Sequence, residues 1–255
     1  MKMRMSDWRG RRLAARVVLG SLLILISGGA FLRADEPFAR SKDYDLQHSK
    51  VALKFDLPQR KVIGDVTHSI DLYRNGLDRV WFDSVGLQIQ SVTVNKAAAK
   101  FETTAGKLYV SLPKVTKAGD KFDIDIKYEG KPQKGLYFVL PDKDYPNRPT
   151  QVWTQGESED TRYYLPTYDY PNDRLTTETI LTVPAEWLTI SNGKLIGVTD
   201  SGNGMKTWTW RESHPSSTYL FTVVAGEFTE VKDTWRKMPV WLTQRIGPPL
   251  ARYLG

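Results

Sequence analysis

From Tyr44 onward, apolar side chains recur at every second position, the repeat of a strand with one buried face. Val62, Gly64, Val66, His68, Ile70 and Leu72 alternate with Ile63, Asp65, Thr67, Ser69 and Asp71. Phe122, Ile124, Ile126 and Tyr128 alternate with Asp123, Asp125 and Lys127. Successive side chains of a strand point to opposite faces, so this pattern predicts half-buried antiparallel strands. Further strands are expected at Val51–Leu57, Arg79–Phe82, Ile89–Val94, Lys107–Leu112, Leu136–Leu140, Thr177–Val183, Leu188–Ile190, Leu195–Thr199, Lys206–Trp210 and Tyr219–Val224. Turn residues separate them: Asn75-Gly76, Ala118-Gly119-Asp120, Glu129-Gly130, Asn192-Gly193 and Ser201-Gly202-Asn203-Gly204. No long 3.6-residue period lies outside the first 34 positions. The expected fold is therefore all-β, an antiparallel β-sandwich. Pro141–Pro149 reads as a surface loop.

Charge decides what such a body can bind. The 255 residues carry 36 Lys+Arg against 29 Asp+Glu, a formal +7. Seven of those bases (Lys2, Arg4, Arg9, Arg11, Arg12, Arg16 and Arg33) and one acid (Asp7) fall in residues 1–34. The remainder holds 29 bases and 28 acids, so no electrostatic footprint for nucleic acid survives. The absence of cysteine excludes a disulfide scaffold and a Cys-ligated zinc site.

The basic start is followed by Val17–Ile26 (VVLGSLLILI) and then by the small residues Gly28, Gly29, Ala30 and Ala34. That order of basic, apolar and small residues is the pattern of a hydrophobic signal helix, with cleavage expected after Ala34 or Ala30. The expectation is export to a periplasmic or extracellular space, with an uncleaved leader anchoring the chain to a membrane as the alternative. Residues 35–241 would form the β domain and residues 242–255 a tail.

Thr154–Glu178 (TQGESEDTRYYLPTYDYPNDRLTTE) is dense in charge and tyrosine, and Pro166 and Pro171 interrupt any helix. Two readings fit the composition: a polar crossover laced by Arg–carboxylate pairs, or one wall of a substrate pocket. Here the sequence resembles the N-terminal domain of the M1 family of zinc aminopeptidases. The resemblance rests on Gln155-Gly156-Glu157, on Arg162-Tyr163-Tyr164-Leu165-Pro166 and on Asp169-Tyr170-Pro171. It extends to Tyr44-Asp45-Leu46 with Gly64-Asp65-Val66, and to Val80-Trp81-Phe82-Asp83 with Leu87-Gln88-Ile89 and Val92–Asn95. It closes on Tyr219–Phe228. Together these pieces cover roughly residues 43–240.

The resemblance implies a saddle-like β domain that serves a zinc hydrolase cutting N-terminal peptide bonds. It implies that Gln155 and Glu157 receive the free amino terminus of a peptide. A carboxylate neutralises an α-ammonium and an amide oxygen accepts another of its hydrogen bonds. Gly156 would let backbone approach closely. An internal peptide bond offers no such cation to a buried acid, so the pair would select exopeptidase substrates. The family's zinc is held by a helical His-Glu-x-x-His and a later Glu, and neither occurs here. The histidines are His48, His68 and His214, at spacings that put no two on one helical face. His68 lies on an apolar strand face, where a satisfied interior role is expected. Asp123-x-Asp125 reads as solvated carboxylates on an outward face, and Trp208 with Trp210 as packing. Zinc chemistry and cleavage would therefore come from a separate catalytic domain, this chain being truncated before it. The rival reading is a stand-alone exported, non-catalytic β-sandwich that binds peptide or glycan.

Overall fold

The computed structural model describes residues 39–113, 115–236 and 238–245. The leader, and the last ten residues of the expected tail, lie outside the described residues. From Ser41 onward the chain forms one unit. In chain order its strands are β1 (Tyr44–Asp56), β2 (Lys61–Leu72), β3 (Arg79–Asp83), β4 (Leu87–Val94), β5 (Ala97–Ala98), β6 (Phe101–Thr104) and β7 (Lys107–Ser111). Next come β8 (Lys121–Gly130), β9 (Leu136–Val139), β10 (Gln151–Thr154), β11 (Leu175–Pro184) and β12 (Leu188–Ser191). The last are β13 (Lys194–Gly202), β14 (Met205–Ser216), β15 (Val223–Gly226), β16 (Phe228–Trp235) and β17 (Met238–Arg245).

The strands make an eight-stranded sheet in the order β13-β14-β11-β1-β2-β8-β4-β5. Beside it lie a four-stranded sheet, β12-β15-β10-β9, and a three-stranded sheet, β3-β7-β6, with β16 and β17 forming a separate hairpin. The all-β expectation holds. The wholly antiparallel one does not, because β1 and β11 pair in parallel from His48–Thr176 to Leu53–Leu181. Two parallel neighbours cannot be joined by a hairpin, and here the crossover carries the whole of the three-stranded sheet and half of the four-stranded one.

Alternation in the sequence becomes alternation in burial. On β2, Val62, Gly64, Val66, His68, Ile70 and Leu72 are buried and their neighbours are not. On β8 the same holds for Phe122, Ile124, Ile126 and Tyr128. The inner face of the large sheet is covered by the small ones. Phe82 of the three-stranded sheet stacks on His68 at 4.9 Å between ring centroids. Phe138 of the four-stranded sheet meets Phe55 edge-on at 6.1 Å. Gly64 is required opposite Tyr128, because a Cβ there would lie 2.1 Å from the ring's Cζ.

The outward faces differ in kind. On the large sheet, Asp125 accepts hydrogen bonds from Thr67 at 2.6 Å and Thr93 at 2.8 Å, and Asp123 accepts one from Ser69 at 2.7 Å. The carboxylates are outward, as their alternation requires. On the four-stranded sheet, Tyr137, Trp153, Val224 and Ile190 form one cross-strand row. Trp153 and Ile190 are 38% and 36% exposed.

Several boundaries differ from the sequence reading. β1 begins at Tyr44 rather than Val51. Tyr219 and Leu220 sit in a 3-10 turn (Thr218–Leu220), and the strand starts at Val223. β5, β6, β10 and β16 had no counterpart in the sequence reading, and β17 runs past the expected boundary at residue 241. Residues 141–149 carry no strand, and Arg148 pairs with Asp142 at 3.0 Å within that loop.

Candidate functional site

β10 is a central strand of the four-stranded sheet, paired with β9 on one side and β15 on the other. The loop after β10 therefore leaves from a fixed point. The Gln155 N–H donates to the carbonyl of Gly135 at 2.8 Å, extending the pairing by one residue. Gly156 is buried, and a Cβ on it would lie 2.5 Å from Thr161 Oγ1 and 2.8 Å from the Tyr219 carbonyl. The close approach expected of this glycine is thus made to the chain's own Thr161 and Tyr219. The Asp160 N–H returns to the Gly156 carbonyl at 2.9 Å and closes the turn. The chain then enters a 3-10 turn over Thr161–Tyr163.

Behind this loop the segment is tied down by one cation. Arg162 donates from its backbone N–H and from Nε to Asp169 Oδ2, at 3.0 and 3.2 Å, and from Nη2 to the Asp169 carbonyl at 2.8 Å. Nη2 also meets Glu159, and Nη1 lies 3.9 Å from Asp83. Asp83 accepts from the Asp169 N–H at 3.0 Å, and its backbone bridges to Thr167. Thr218 donates to the other Asp169 oxygen at 3.2 Å. Burial opposes the charge on Arg162, but the carboxylates of Asp83 and Asp169 outweigh it and raise its pKa. Asp169 is buried completely, and desolvation lifts its pKa above the usual carboxylate value despite Arg162. Tyr164, also fully buried, donates to the Phe221 carbonyl at 3.3 Å.

Gln155 and Glu157 are both exposed at the tip of this anchored loop. The buried acid expected at position 157 is not what the structure shows. The Glu157 carboxylate faces solvent, and its backbone N–H lies 3.5 Å from Gln155 Oε1. Its isolation becomes plain beside the other acids of the segment. Glu159 and Asp169 pair with Arg162, and Asp160 lies 3.9 Å from Lys134. Asp173 pairs with Lys42 at 2.8 Å, and Glu178 with Lys50 at 3.2 Å and Arg211 at 2.8 Å. Glu157 alone among these acids meets no cation among the described residues.

Of the two readings of Thr154–Glu178, the Arg–carboxylate lacing is what the structure shows, and Glu157 stands exposed beside it. The Arg162 knot reaches across to Asp83, a long-range pairing that sequence spacing does not announce. The signal that could have found it is an arginine, Arg162, set among several acids of a segment with an apolar frame.

The described residues offer no zinc site. No group of three or more His, Cys, Asp or Glu side chains converges among them. His68 is fully buried, donating from Nε2 to the Pro166 carbonyl at 2.7 Å and accepting from Ser49 at Nδ1, also at 2.7 Å. His48 bonds to Thr176, and His214 lies beside Glu212. The Trp210 indole donates to Thr189 of the facing sheet at 2.9 Å, and Trp208 packs on the core, so both tryptophans serve packing.

Comparison with known proteins agrees with this architecture. The chain is 28% identical over 174 residues to "Probable aminopeptidase 1" of Sulfurisphaera tokodaii, covering 67% of this chain and 21% of that protein. It is 26% identical over 212 residues to "Aminopeptidase N" of Acetobacter pasteurianus, covering 80% of this chain and 56% of that one. The crystal structure of the M1 zinc metallopeptidase from Deinococcus radiodurans has the same fold over 86% of this chain and 52% of its own length. It superposes with a TM-score of 0.69 at 24% identity. The chain thus spans between a fifth and just over half of these three proteins. Its match to a family description covers residues 41–220, and on that match the chain belongs to the peptidase M1 N-terminal domain family.

Proposed function

We propose that this chain supplies the wall that receives the free amino terminus of a peptide in a zinc aminopeptidase, with Glu157 as the charge partner and Gln155 as the hydrogen-bond acceptor. The observation that carries the reading is the unpaired Glu157 carboxylate on a loop whose every other acid is held by a cation. An acid kept free on a rigid support is placed to accept a ligand's ammonium. The zinc ligands and the hydrolytic step belong to a separate domain, because the described residues hold no ligand set. Under that arrangement, the exposure of Glu157 is the state before the second domain covers it. The apolar row Tyr137–Trp153–Val224–Ile190 runs beside the loop and gives such a domain a surface to bury. The basic, apolar and small-residue order of the first 34 positions supports export as the destination.

The test is kinetic, in the polypeptide that joins this chain to a zinc-bearing M1 domain. Glu157→Ala should lower kcat/KM for peptides with a free amino terminus by about a hundredfold, the worth of a desolvated charge-assisted bond. Unaltered kcat/KM in that variant, with a folded protein, would refute the assignment.

A further inference from the structure

A cleft with no lining residue from the Gln155–Glu157 loop opens beside Tyr163 of the 3-10 turn. There the ends of β2, β4 and β8 frame an open cleft of about 340 Å³. At its wall Lys61 Nζ and Glu129 Oε2 form an ion pair at 3.1 Å, with side chains only 19% and 25% exposed. The other polar residues of its lining are Lys131, Gln88, Gln133 and Tyr163. Val85 adds an apolar patch beside the Tyr163 ring.

This lining selects among ligand classes by charge. A simple anion drawn to Lys61 would be set against Glu129, and a simple cation drawn to Glu129 would be set against Lys61. A ligand with one charge of each sign can lie alongside the resident pair, so that each of the four charges faces an opposite one. Neither of the sheltered protein charges is then left uncompensated, which is the costly outcome in a partly desolvated site. Lys131 adds a second donor for the ligand's anionic end. The cleft has room for a free amino acid and its side chain, which would lie against Val85 and Tyr163.

We infer that this cleft binds a free α-amino acid as its zwitterion, the carboxylate facing Lys61 and Lys131 and the ammonium facing Glu129. The site is distinct from the Gln155–Glu157 loop and shares no residue with it. If the reading of that loop is correct, the ligand is of the class that aminopeptidase action releases, but the cleft's chemistry does not depend on it.

The experiment is a titration of the full chain with L-leucine, N-acetyl-L-leucine and L-leucinamide, followed by backbone amide NMR shifts. Saturable shifts should appear at Lys61, Gly86, Glu129, Lys131 and Tyr163. The two derivatives, each lacking one charge, should bind about tenfold more weakly, the worth of one charge-assisted hydrogen bond. Glu129→Gln should abolish the preference for leucine over the N-acetyl form, and the exposed variant Lys131→Gln should weaken leucine binding without disturbing the fold. Glu157→Ala should leave all of this unchanged. The inference fails if leucine produces no saturable shift in the cleft, if all three compounds bind alike, or if the shifts centre on Gln155 and Glu157 and vanish in Glu157→Ala.

Discussion

Acidification should unlock this domain through His68. The ring is fully buried and donates from Nε2 to the Pro166 carbonyl, an acceptor only, so the neutral ring accepts the Ser49 hydroxyl at Nδ1. Burial lowers its pKa from 6.5 to about 4, even though the Pro166 carbonyl favours the charged form. In the unfolded chain the same ring titrates at its ordinary value. Between the two values the unfolded state holds a proton that the folded state lacks, so stability rises with pH across this window. The contribution is complete above about pH 6.5 and is lost as the pH falls toward 4. The gap corresponds to about 3 kcal/mol, at a limiting slope of about 1.4 kcal/mol per pH unit. Urea unfolding followed by tryptophan fluorescence between pH 7 and pH 4, in the wild type and in His68→Gln, isolates the term. Glutamine can keep both hydrogen bonds but cannot titrate. Asp45 and Glu178, with lowered pKa values, and Asp169 and Asp173, with raised ones, titrate in both proteins, as does His48, whose pKa burial also lowers and whose charge opposes that of His68. The variant should be the less stable protein at pH 7, and the two should converge as pH falls. Parallel curves would refute the argument.

The Arg162 knot predicts a pH dependence of the opposite sign. Arg162→Met leaves the Asp169 carboxylate buried without its guanidinium partner and should cost about 3–5 kcal/mol at pH 7, with part of the loss recovered in urea titrations at pH 4 as Asp169 takes up a proton. Gly156→Ala drives a methyl into Thr161 and the Tyr219 backbone and should lower stability by roughly 1–3 kcal/mol in thermal unfolding. The exposed Gln155→Ala beside it should change stability by less than about 0.5 kcal/mol. Glu178 sits between Lys50 and Arg211, both half exposed, so Glu178→Gln should cost less than about 1 kcal/mol, and the effect should fade in 1 M salt.

The fold was legible wherever one side of a strand met the core and the other met water. β2 and β8 announce themselves because each buried residue is followed by a solvated one. The parallel pairing of β1 with β11 was not legible. Alternation fixes which face a strand buries but not which neighbour it finds, and the two strands lie more than a hundred residues apart. β10 was missed because four residues (Gln151–Thr154) after a proline-rich loop are too few to show a period. β16 was missed for a different reason: every residue after Phe228 in it is exposed, so this strand has no buried face to write into the sequence. At the candidate site, the residue types were legible and the burial was not. Composition shows acids and an arginine in one segment, but not which acid the arginine leaves out.

That omission is what gives Glu157 its meaning. An arginine in a knot of carboxylates satisfies those within its reach, and Arg162 reaches Glu159, Asp169 and Asp83. Lys134, Lys42, Lys50 and Arg211 engage the other acids of the segment from neighbouring elements. Glu157 follows Gly156, whose backbone lies tight against Thr161 and Tyr219, and its own side chain is exposed. A lone carboxylate in water costs the domain little. Once a second protein surface covers the loop, the same charge loses its hydration, and only a cation brought in with the ligand can replace it. On the proposed reading, such a site would stabilise its own occupied state: a covering domain would raise the cost of the bare acid, and the ammonium of a peptide would remove it. If the proposed reading holds, the rigidity of the knot is what keeps the acid in place for that exchange, since a loop free to move would let Glu157 pair with a neighbouring lysine instead.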